Sequence, residues 1–412
     1  MKVAVIGAGA SGMMAALQSA WHGAEVALFE RNDSVGRKLL VTGSGRCNIT
    51  NAAAAAEKYT CADPAWMRTL LSQFGVGDLI DTLTSIGIPV QKTDDGWYYP
   101  ISNSAKSVVE AFFSALNLAG VNLSKQTHVS SIRAAEKGFI VGFSRDGRKH
   151  VTEFKRVIVS AGGKAYPSLG TRGELFAVLE SLGHTVLPIR PALAPILVDL
   201  GNLKALQGIR LNVCVTLWHG SKQLASASGN LIFTQWGLNG PAVMDISHLV
   251  SAHPGEQLTL SLNLLAFFQD EFDQLLKQNR TSLIPLRVLL GAFFPPKVTT
   301  VILKNARLSE EIPLCQVSEN ALRGLIEIMK DTRLPVKGVR DFEYCQISAG
   351  GVPVSEVDPQ TLESHRVSGL FLTGETLDMV GPCGGYNLQY AFSSGALAGR
   401  AAALRMGGQE HL

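Results

Sequence analysis

The chain has 412 residues, of which 46% are hydrophobic and 17% are charged. This composition excludes a disordered chain, and the length exceeds the usual size of one compact core. The net charge is +3, and no run of Lys and Arg forms a basic stripe, so nucleic acid is not an expected partner. The sequence therefore predicts a globular enzyme of about two or three domains.

Neither a metal site nor a membrane segment is expected. The six cysteines stand without a Cys-x-x-Cys pair, which argues against a zinc site and a disulfide framework. The apolar start of the chain is interrupted by Gly7, Gly9 and Gly12, so a secretory signal is the less favoured interpretation. No other segment reaches about eighteen uninterrupted apolar residues. We therefore expect a cytoplasmic protein with reduced thiols.

The first part of the chain contains both strand and helix patterns. Short apolar or β-branched runs predict strands, and apolar residues at helical spacing predict helices. A period-two stretch from Gln126 to Phe154 contains an Asp146-Gly147 pair, which predicts a hairpin. The predicted strands are Lys2–Ile6, Glu25–Glu30, Pro89–Lys92, Trp97–Tyr99 and Arg156–Ser160, and the predicted helices are Ala10–Trp21, Ala65–Phe74, Val76–Ile86, Ala105–Ala119 and Gly173–Leu182.

The composition changes at Pro188 to Pro191, where short alternating runs begin, and becomes glycine-rich again after about Val339. We therefore expect an insert over residues 191–338, with a β part and a helical part, between the two parts of one domain, 1–190 and 339–412. The predicted elements here are the β runs Leu211–Trp218 and Gln223–Ser226, the helices Ala266–Arg280 and Glu319–Lys330, the strand Gly369–Thr373 and the helix Leu388–Leu404.

The strongest local motif is the glycine turn, Gly7–Gly12, which lies between a predicted strand and a predicted helix. Gly7 permits the tight turn, Gly9 lets the backbone approach a pyrophosphate, and Gly12 allows the helix to pack closely on the sheet. The free N–H groups and the dipole of the helix N-terminus favour the negative phosphates. Glu30 ends the second strand, where a carboxylate can bind the ribose hydroxyls of an adenosine and repels a 2′-phosphate.

The residues after Glu30 favour FAD over a nicotinamide. A basic residue, Arg37, follows Glu30 after six residues, and a glycine-rich loop, Gly43–Asn48, comes next. This order is typical of FAD proteins of the glutathione-reductase-like superfamily. Backbone N–H groups of the loop and the side chain of Arg46 are expected near the pyrophosphate or the flavin ring. Cys47 in the same loop is interpreted as a packed thiol rather than a redox group.

A second group of motifs lies far downstream. Gly374-Glu375 follows a predicted strand and resembles the segment that carries an acid to the ribityl chain in such flavoproteins. Those proteins usually have Gly-Asp there, so the resemblance implies that either Glu375 or Asp378 reaches the ribityl chain. Gly385 then opens a helix whose free N–H groups can face the flavin. The residues that we expect to contact FAD are Gly7, Gly9, Ala10, Ser11, Gly12, Glu30, Arg31, Arg37, Lys38, Gly43, Gly45, Arg46, Cys47, Asn48, Val129, Ala161, Gly162, Gly374, Glu375, Asp378, Gly385, Asn387 and Leu388.

Three segments, Val41–Asn48, Gly229–Pro241 and Gly384–Gln389, together resemble the BaiN/YhiN-like family of bacterial flavoproteins, which are NAD(P)/FAD-dependent oxidoreductases. The resemblance covers essentially the whole chain. It implies an α/β fold in which a Rossmann-type FAD-binding domain of the glutathione-reductase-like class is split by a β-barrel and helical insert. Departures at Gln235 and Asn239, where the family more often has His and Ser, concern the substrate more than the cofactor.

Together these patterns predict a FAD-dependent oxidoreductase that acts on a small organic substrate held between the FAD domain and the insert. Residues 150–412 contain no second Gly-x-Gly-x-x-Gly after a strand, so NAD(P)H, if it is the donor, is expected in the same cleft as the substrate. A flavin-bearing protein that binds RNA or modifies tRNA is the first alternative, and a flavoprotein that has lost catalysis is the second. No histidine stands out as a catalytic base.

Overall fold

The structure, a computed structural model, describes residues Met1–Leu404. The chain forms two compact units. The first comprises Met1–Arg190 together with the chain from Gln346 onward, and the second comprises Pro191–Cys345. The second unit thus extends beyond the boundary at 338 that the composition suggests. Residues 405–412 of the last predicted part lie outside the described residues.

The first unit is built on a five-stranded parallel sheet. Its central strand, Lys2–Ile6, pairs with Glu25–Phe29 on one side and with Arg156–Val159 on the other. The outer strands are Asn122–Ser124 and Leu370–Leu372. Val3, Ala4 and Val5 are fully buried, as the continuous apolar run predicts for a strand covered on both faces. The sheet therefore combines strands from the two ends of the chain.

Two helices rich in small residues pack closely beside this sheet. The N-terminal helix Ala10–Trp21 contacts the C-terminal helix Tyr386–Ala403. A Cβ on Gly395 would lie 2.2 Å from the backbone oxygen of Ser11, and one on Gly399 would lie 2.4 Å from that of Ala15. These glycines permit the close approach of the two helix backbones. The other helices of the unit are Arg37–Val41, Pro64–Gln73, Val76–Ser85, Ala105–Leu118 and Leu175–Ser181.

Two three-stranded antiparallel sheets also belong to the first unit, and a two-stranded sheet includes a strand that ends at Ala192, two residues beyond the boundary at Arg190. The three-stranded sheet with the longer strands contains the predicted hairpin, in which Arg145 pairs with Arg148 around the Asp146-Gly147 turn. The three sheets are formed by Thr127–Ala135, Gly138–Arg145 and Arg148–Phe154; by Thr50–Asn51, Val90–Lys92 and Trp97–Pro100; and by Leu187–Ala192 and Ile347–Gly351.

The second unit contains a closed six-stranded barrel with antiparallel pairs. Val213, Val215 and Leu217 alternate with more exposed residues along one strand and are fully buried, as a period-two pattern predicts for a barrel wall. The strands, in barrel order, are Ile196–Val198, Gly237–Asn239, Lys222–Phe233, Arg210–His219, Leu258–Asn263 and Thr332–Val339.

Helices accompany the barrel in the second unit. The two that the sequence predicts are present as Gln269–Asn279 and Glu319–Lys330. Ser318 caps the latter by accepting the backbone N–H of Ala321. The shorter helices are Pro241–Met244, Ser247–Ala252, Leu286–Gly291 and Pro296–Asn305. Across Met1–Leu404, no helix combines the length and apolar character needed to cross a bilayer.

Candidate cofactor site

The glycine turn contains one glycine that faces open space and two that do not. A Cβ on Gly12 would lie 1.8 Å from the backbone oxygen of Gly7, and a Cβ on Gly7 would lie 2.5 Å from that of Ser160. By contrast, a Cβ on Gly9 would meet no atom within 4 Å. Gly7 and Gly12 are therefore required by packing within the protein. The open space at Gly9 matches what a bound pyrophosphate needs.

The helix begins directly after this turn. Gly9 is its N-cap residue, and Ala10, Ser11 and Gly12 form its first turn. The backbone N–H groups of a first helical turn have no acceptor within the helix, and the helix dipole adds partial positive charge there. The open space beside Gly9 therefore adjoins a group of donors suited to phosphate oxygens.

Glu30 is buried and held by three hydrogen bonds from the protein. Its Oε2 atom accepts the backbone N–H of Ala8 at 2.8 Å, and its Oε1 atom accepts both the backbone N–H and the side-chain N–H of Asn32, at 2.8 and 2.7 Å. A carboxylate has about four acceptor positions, so at least one remains for a hydroxyl. Arg37 donates to the Oδ1 atom of Asn32 at 2.8 Å, so its side chain supports Glu30 indirectly.

Asn32 is a site residue that the sequence analysis did not name. Asn is common in loops, where its short polar side chain can hydrogen-bond nearby groups. That signal alone did not connect it with Glu30 and Arg37. The three side chains form a chain of donors and acceptors, and this arrangement fixes the orientation of the Glu30 carboxylate.

Arg31 points to a different partner. Its guanidinium pairs with the Glu174 carboxylate at 2.6 Å, and both side chains are 38% exposed. Burial raises the pKa of Glu174, but hydrogen bonds from Arg31 and from the Arg172 backbone outweigh it and hold the pKa at about 2. This ion pair links the loop after Glu30 to the segment before helix Leu175–Ser181.

The strand that starts at Thr127 lies beside the end of the Glu30 strand. The backbone N–H of Thr127 donates to the Glu30 backbone oxygen at 2.8 Å. Val129, two residues on, is buried, and the register of its strand shifts between Val129 and Ser131. Val129 is one of the residues that the sequence predicts to contact FAD.

The glycine-rich loop has an unusual backbone. Gly43, Ser44, Gly45 and Cys47 all have positive φ. Arg46 lies over the Tyr99 ring, with its guanidinium carbon 4.6 Å from the ring centroid. Burial raises the pKa of the Cys47 thiol to about 12, opposed by a hydrogen bond with Thr42. A thiol with this pKa is protonated and inert at neutral pH, which agrees with a packing role.

Asn48 supplies an acceptor in the same loop. Asn48 is 7% exposed, and its buried Oδ1 atom has no hydrogen-bond partner among the described residues. The Cβ position of Gly43 lies 3.0 Å from the Asn48 backbone nitrogen. Buried polar atoms are paired in most folded proteins. An unpaired acceptor next to a glycine-rich loop is consistent with a bound group that donates to it.

The structure brings the downstream Gly374 against the glycine turn. A Cβ on Gly374, which has φ +60°, would lie 2.8 Å from the Ser11 Oγ atom. The hydroxyls of Ser160 and Thr373 share a hydrogen bond of 2.7 Å at the ends of adjacent strands. Ala161 and Gly162 follow Ser160 directly, so these segments from the two ends of the chain meet at one edge of the sheet.

The two candidate acids after Gly374 have different partners. Glu375 forms an ion pair with Lys38 and accepts the backbone N–H of Ser348 at 3.3 Å. Asp378 accepts the backbone N–H of Gly350 at 2.7 Å. Glu375 is therefore joined to the N-terminal segment that carries Arg37 and Lys38, whereas Asp378 fixes a neighbouring loop.

Gly385 opens the C-terminal helix in a crowded position. It has φ +96°, and a Cβ there would lie 2.5 Å from the backbone oxygen of Thr50. Asn387 closes the preceding loop, because its side chain accepts the Gly381 N–H and donates to the Gly381 oxygen, both at 2.8 Å. The backbone N–H groups of Asn387 and Leu388 belong to the first turn of this helix, where intrahelical acceptors are absent.

Comparison with known proteins identifies the family of this chain. Residues 1–401 match the family model described as HI0933-like protein Rossmann domain. The chain belongs to this family, which includes the BaiN/YhiN-like flavoproteins that its motifs resemble. It is an oxidoreductase of the flavoprotein type.

Two characterised relatives align over nearly their full lengths. The chain is 35% identical to a 3-dehydro-bile acid delta(4,6)-reductase of Clostridium scindens, over 98% of this chain and 99% of the relative. It is 28% identical to a ribosomal RNA dihydrouridine synthase of Haemophilus influenzae, over 95% of each chain.

A solved structure shares the fold. The 3-ketosteroid-delta4-(5alpha)-dehydrogenase of Rhodococcus jostii aligns with a TM-score of 0.54 over 98% of this chain and 96% of that protein. The sequence identity is 13%, so this likeness concerns the fold alone.

Proposed function

We propose that the protein binds FAD and reduces a carbon–carbon double bond conjugated to a carbonyl group in a small organic molecule. The name of one relative describes a delta(4,6)-reductase of a 3-dehydro-bile acid, and the name of the other describes the formation of dihydrouridine. A 3-dehydro compound is a 3-ketone, so its delta-4 double bond is conjugated to a carbonyl group. Dihydrouridine is uridine with two hydrogen atoms added across such a bond. The shared chemistry, rather than either substrate, is what we transfer to this chain.

The observation that carries the proposal is the meeting of both ends of the chain at one site. The space beside Gly9 is open, the held Glu30 carboxylate keeps an acceptor position that suits a ribose hydroxyl, and Lys38 pairs with Glu375 beside Gly374. The first turn of the C-terminal helix adds backbone donors near Gly385. A cofactor with two phosphates, an adenosine and a second ring system fits this set of groups better than FMN, which lacks the adenosine.

The residues of this chain bind and orient the cofactor. In the proposal, the first turn after Gly9 binds the pyrophosphate, Glu30 the adenosine ribose, and Glu375 the ribityl chain. Asn48 and the first turn after Gly385 hold the ring by polar contacts. FAD bound at this site would accept and donate the two electrons of the reaction.

We infer that a nicotinamide donor, where one is used, enters the cleft that also takes the substrate. Residues 150–412 contain no second glycine turn after a strand. Among the described residues, the barrel and both three-stranded sheets have antiparallel pairs, so none of them is a second doubly wound nucleotide-binding sheet. NAD(P)H then has no dedicated Rossmann domain.

The second candidate is reduction of uridine within RNA. The 28% identity to a ribosomal RNA dihydrouridine synthase over 95% of each chain favours it. The small net charge of +3 and the absence of a Lys and Arg stripe argue against an extended RNA-binding surface. We therefore place it below the small-molecule reductase.

A single anaerobic experiment tests both candidates. The flavin of the purified protein is reduced, and its absorbance is followed after addition of cyclic enones, a saturated ketone as control, or ribosomal RNA from cells that lack this protein. Reoxidation by an enone, with a product heavier by two hydrogen atoms, supports the first candidate. Reoxidation by RNA alone, with dihydrouridine in its digest, supports the second. Failure of both rejects the proposed reaction but not FAD binding.

A further inference from the structure

An arginine at one end of the barrel lies over two aromatic rings. Arg340 follows the strand Thr332–Val339, and its backbone N–H donates to the Pro195 oxygen at 2.9 Å. Its guanidinium carbon lies 3.1 Å from the centroid of the Tyr344 ring and 4.7 Å from that of the Trp236 ring. Tyr344 is 43% exposed, so this aromatic–arginine cluster, Trp236, Arg340 and Tyr344, reaches the surface of the second unit.

The charge of Arg340 is not neutralised by a described acidic side chain. Asp341 is adjacent in sequence, but its Oδ1 atom accepts the backbone N–H of Glu343 and so closes its own turn. Arg333, on the same barrel, differs in this respect. It lies 5.5 Å from the Trp218 ring centroid and also pairs with Asp331 at 2.8 Å.

We propose that Arg340 is a binding residue for an oxyanion, either a carboxylate or a phosphate, carried by a ligand of this protein. Aromatic rings over a guanidinium cover its faces and leave its in-plane N–H groups available. Those groups form a rigid fork that matches the oxygens of a carboxylate or phosphate. This site goes beyond the proposed function, which involves only groups of the first unit.

The cluster also prepares Arg340 for binding. An exposed arginine loses side-chain entropy when a ligand immobilises it. The contacts with Trp236 and Tyr344 hold the side chain before any ligand arrives, because a guanidinium is attracted to the faces of aromatic rings. A held cation without an acidic partner is therefore better suited to capture an anion than Arg333, whose charge is already paired.

The test measures binding of small probes to the whole, flavin-loaded protein. Benzoate and phenyl phosphate serve as carboxylate and phosphate probes, and benzyl alcohol is the uncharged control. Binding is followed by calorimetry and by Trp236 fluorescence, with Trp236→Phe to assign the signal. The variants are Arg340→Gln, Arg340→Lys and the matched control Arg333→Gln. Flavin content and thermal unfolding, measured for each variant, show whether the fold and the cofactor site are intact.

We expect at least one anion to bind more tightly than benzyl alcohol and its affinity to fall about tenfold or more in Arg340→Gln, the scale of a lost charge-assisted hydrogen bond. Arg340→Lys should be intermediate, because it keeps the charge without the fork, and Arg333→Gln should resemble the unmodified protein. The anion that binds identifies the source as carboxylate or phosphate. The proposal would be overturned if all three probes bound equally, if Arg340→Gln left the affinity unchanged, or if Arg333→Gln caused an equal loss. None of these outcomes would affect the flavin results.

Discussion

The Oε2 atom of Glu30 accepts the backbone N–H of Ala8 at 2.8 Å, so the acid at the end of the second strand is fastened to the glycine turn. The two motifs that we propose to bind the adenosine diphosphate part of FAD are thus coupled. A change at Glu30 should therefore affect both the proposed ribose contact and the backbone of the glycine turn.

Replacement of Glu30 by Gln should therefore weaken FAD binding strongly. The amide cannot accept hydrogen bonds at both of its polar atoms, so either the Ala8 or the Asn32 contacts are lost along with the charge. We expect the FAD dissociation constant to rise about tenfold or more, as for the loss of a hydrogen bond to a charged group. Titration of the apoprotein with FAD measures this. Glu25→Gln, on the exposed part of the same strand, is the control, and equal affinities in the two variants would contradict the assignment.

Substitutions at Gly9 and Gly12 should have different results. A Val at Gly9 occupies space that is open within the protein, so the variant should fold and lack flavin. A Val at Gly12 meets the backbone oxygen of Gly7, so that variant should be destabilised as well. Circular dichroism, thermal unfolding and the flavin absorbance distinguish the two. Gly77→Val, at another glycine with open space, is the control, and a fully yellow Gly9→Val protein would show that no phosphate binds there.

Substitutions at Lys38 and Glu375, which form an ion pair, should have non-additive effects on FAD retention. Removal of one partner leaves the other partly buried and unpaired, so Lys38→Met and Glu375→Gln should each weaken retention. The double variant should be no weaker than the poorer single variant, because the remaining charge is gone. Flavin release on dilution measures all three. Additive losses would mean that the two residues contact the cofactor independently.

Cys47 should resist alkylation in the native protein. Because its pKa is raised to about 12, the thiol is protonated at any pH well below that value, and only the thiolate reacts. Iodoacetamide at mildly alkaline pH should label the exposed Cys315 and leave Cys47 unmodified until the protein is denatured. Peptide mass spectrometry locates the label. Rapid native labelling of Cys47 would restore the redox interpretation that its burial disfavours.

The sequence predicts the parts of this site whose chemistry is carried by the backbone. The glycine turn has a characteristic spacing because each glycine meets a separate steric requirement. Glu30 follows at a fixed structural position, the end of a strand. Asn32 and the pairing of Lys38 with Glu375 were not predicted. Both contacts depend on side chains that the fold brings together. Lys38 and Glu375 come from opposite ends of the chain, and no sequence periodicity predicts their contact.

The barrel, too, has features that the sequence predicts and features that it does not. Alternating residues such as Val213 and Val215 indicate a strand with one buried face, but closure depends on pairing between Ile196–Val198 and Thr332–Val339, which are distant in sequence. The barrel could be predicted only from the family resemblance. The sequence also contains no sign of the Arg340 cluster, because Trp236 and Tyr344 are ordinary loop residues until the fold places them beside one arginine.

Electron transfer through one shared cleft should follow a fixed order. Residues 150–412 contain no second glycine turn after a strand, so a nicotinamide donor and the acceptor substrate are expected to use one cleft in turn. The donor must then leave before the acceptor enters, which is a ping-pong sequence. Initial rates with NAD(P)H and a cyclic enone, measured at several fixed donor concentrations, should give parallel lines in double-reciprocal form. High concentrations of either substrate should inhibit competitively against the other, because each binds the wrong form of the enzyme at the same place. Lines that intersect to the left of the vertical axis would show that both are bound together, and a separate nicotinamide site would then have to be sought.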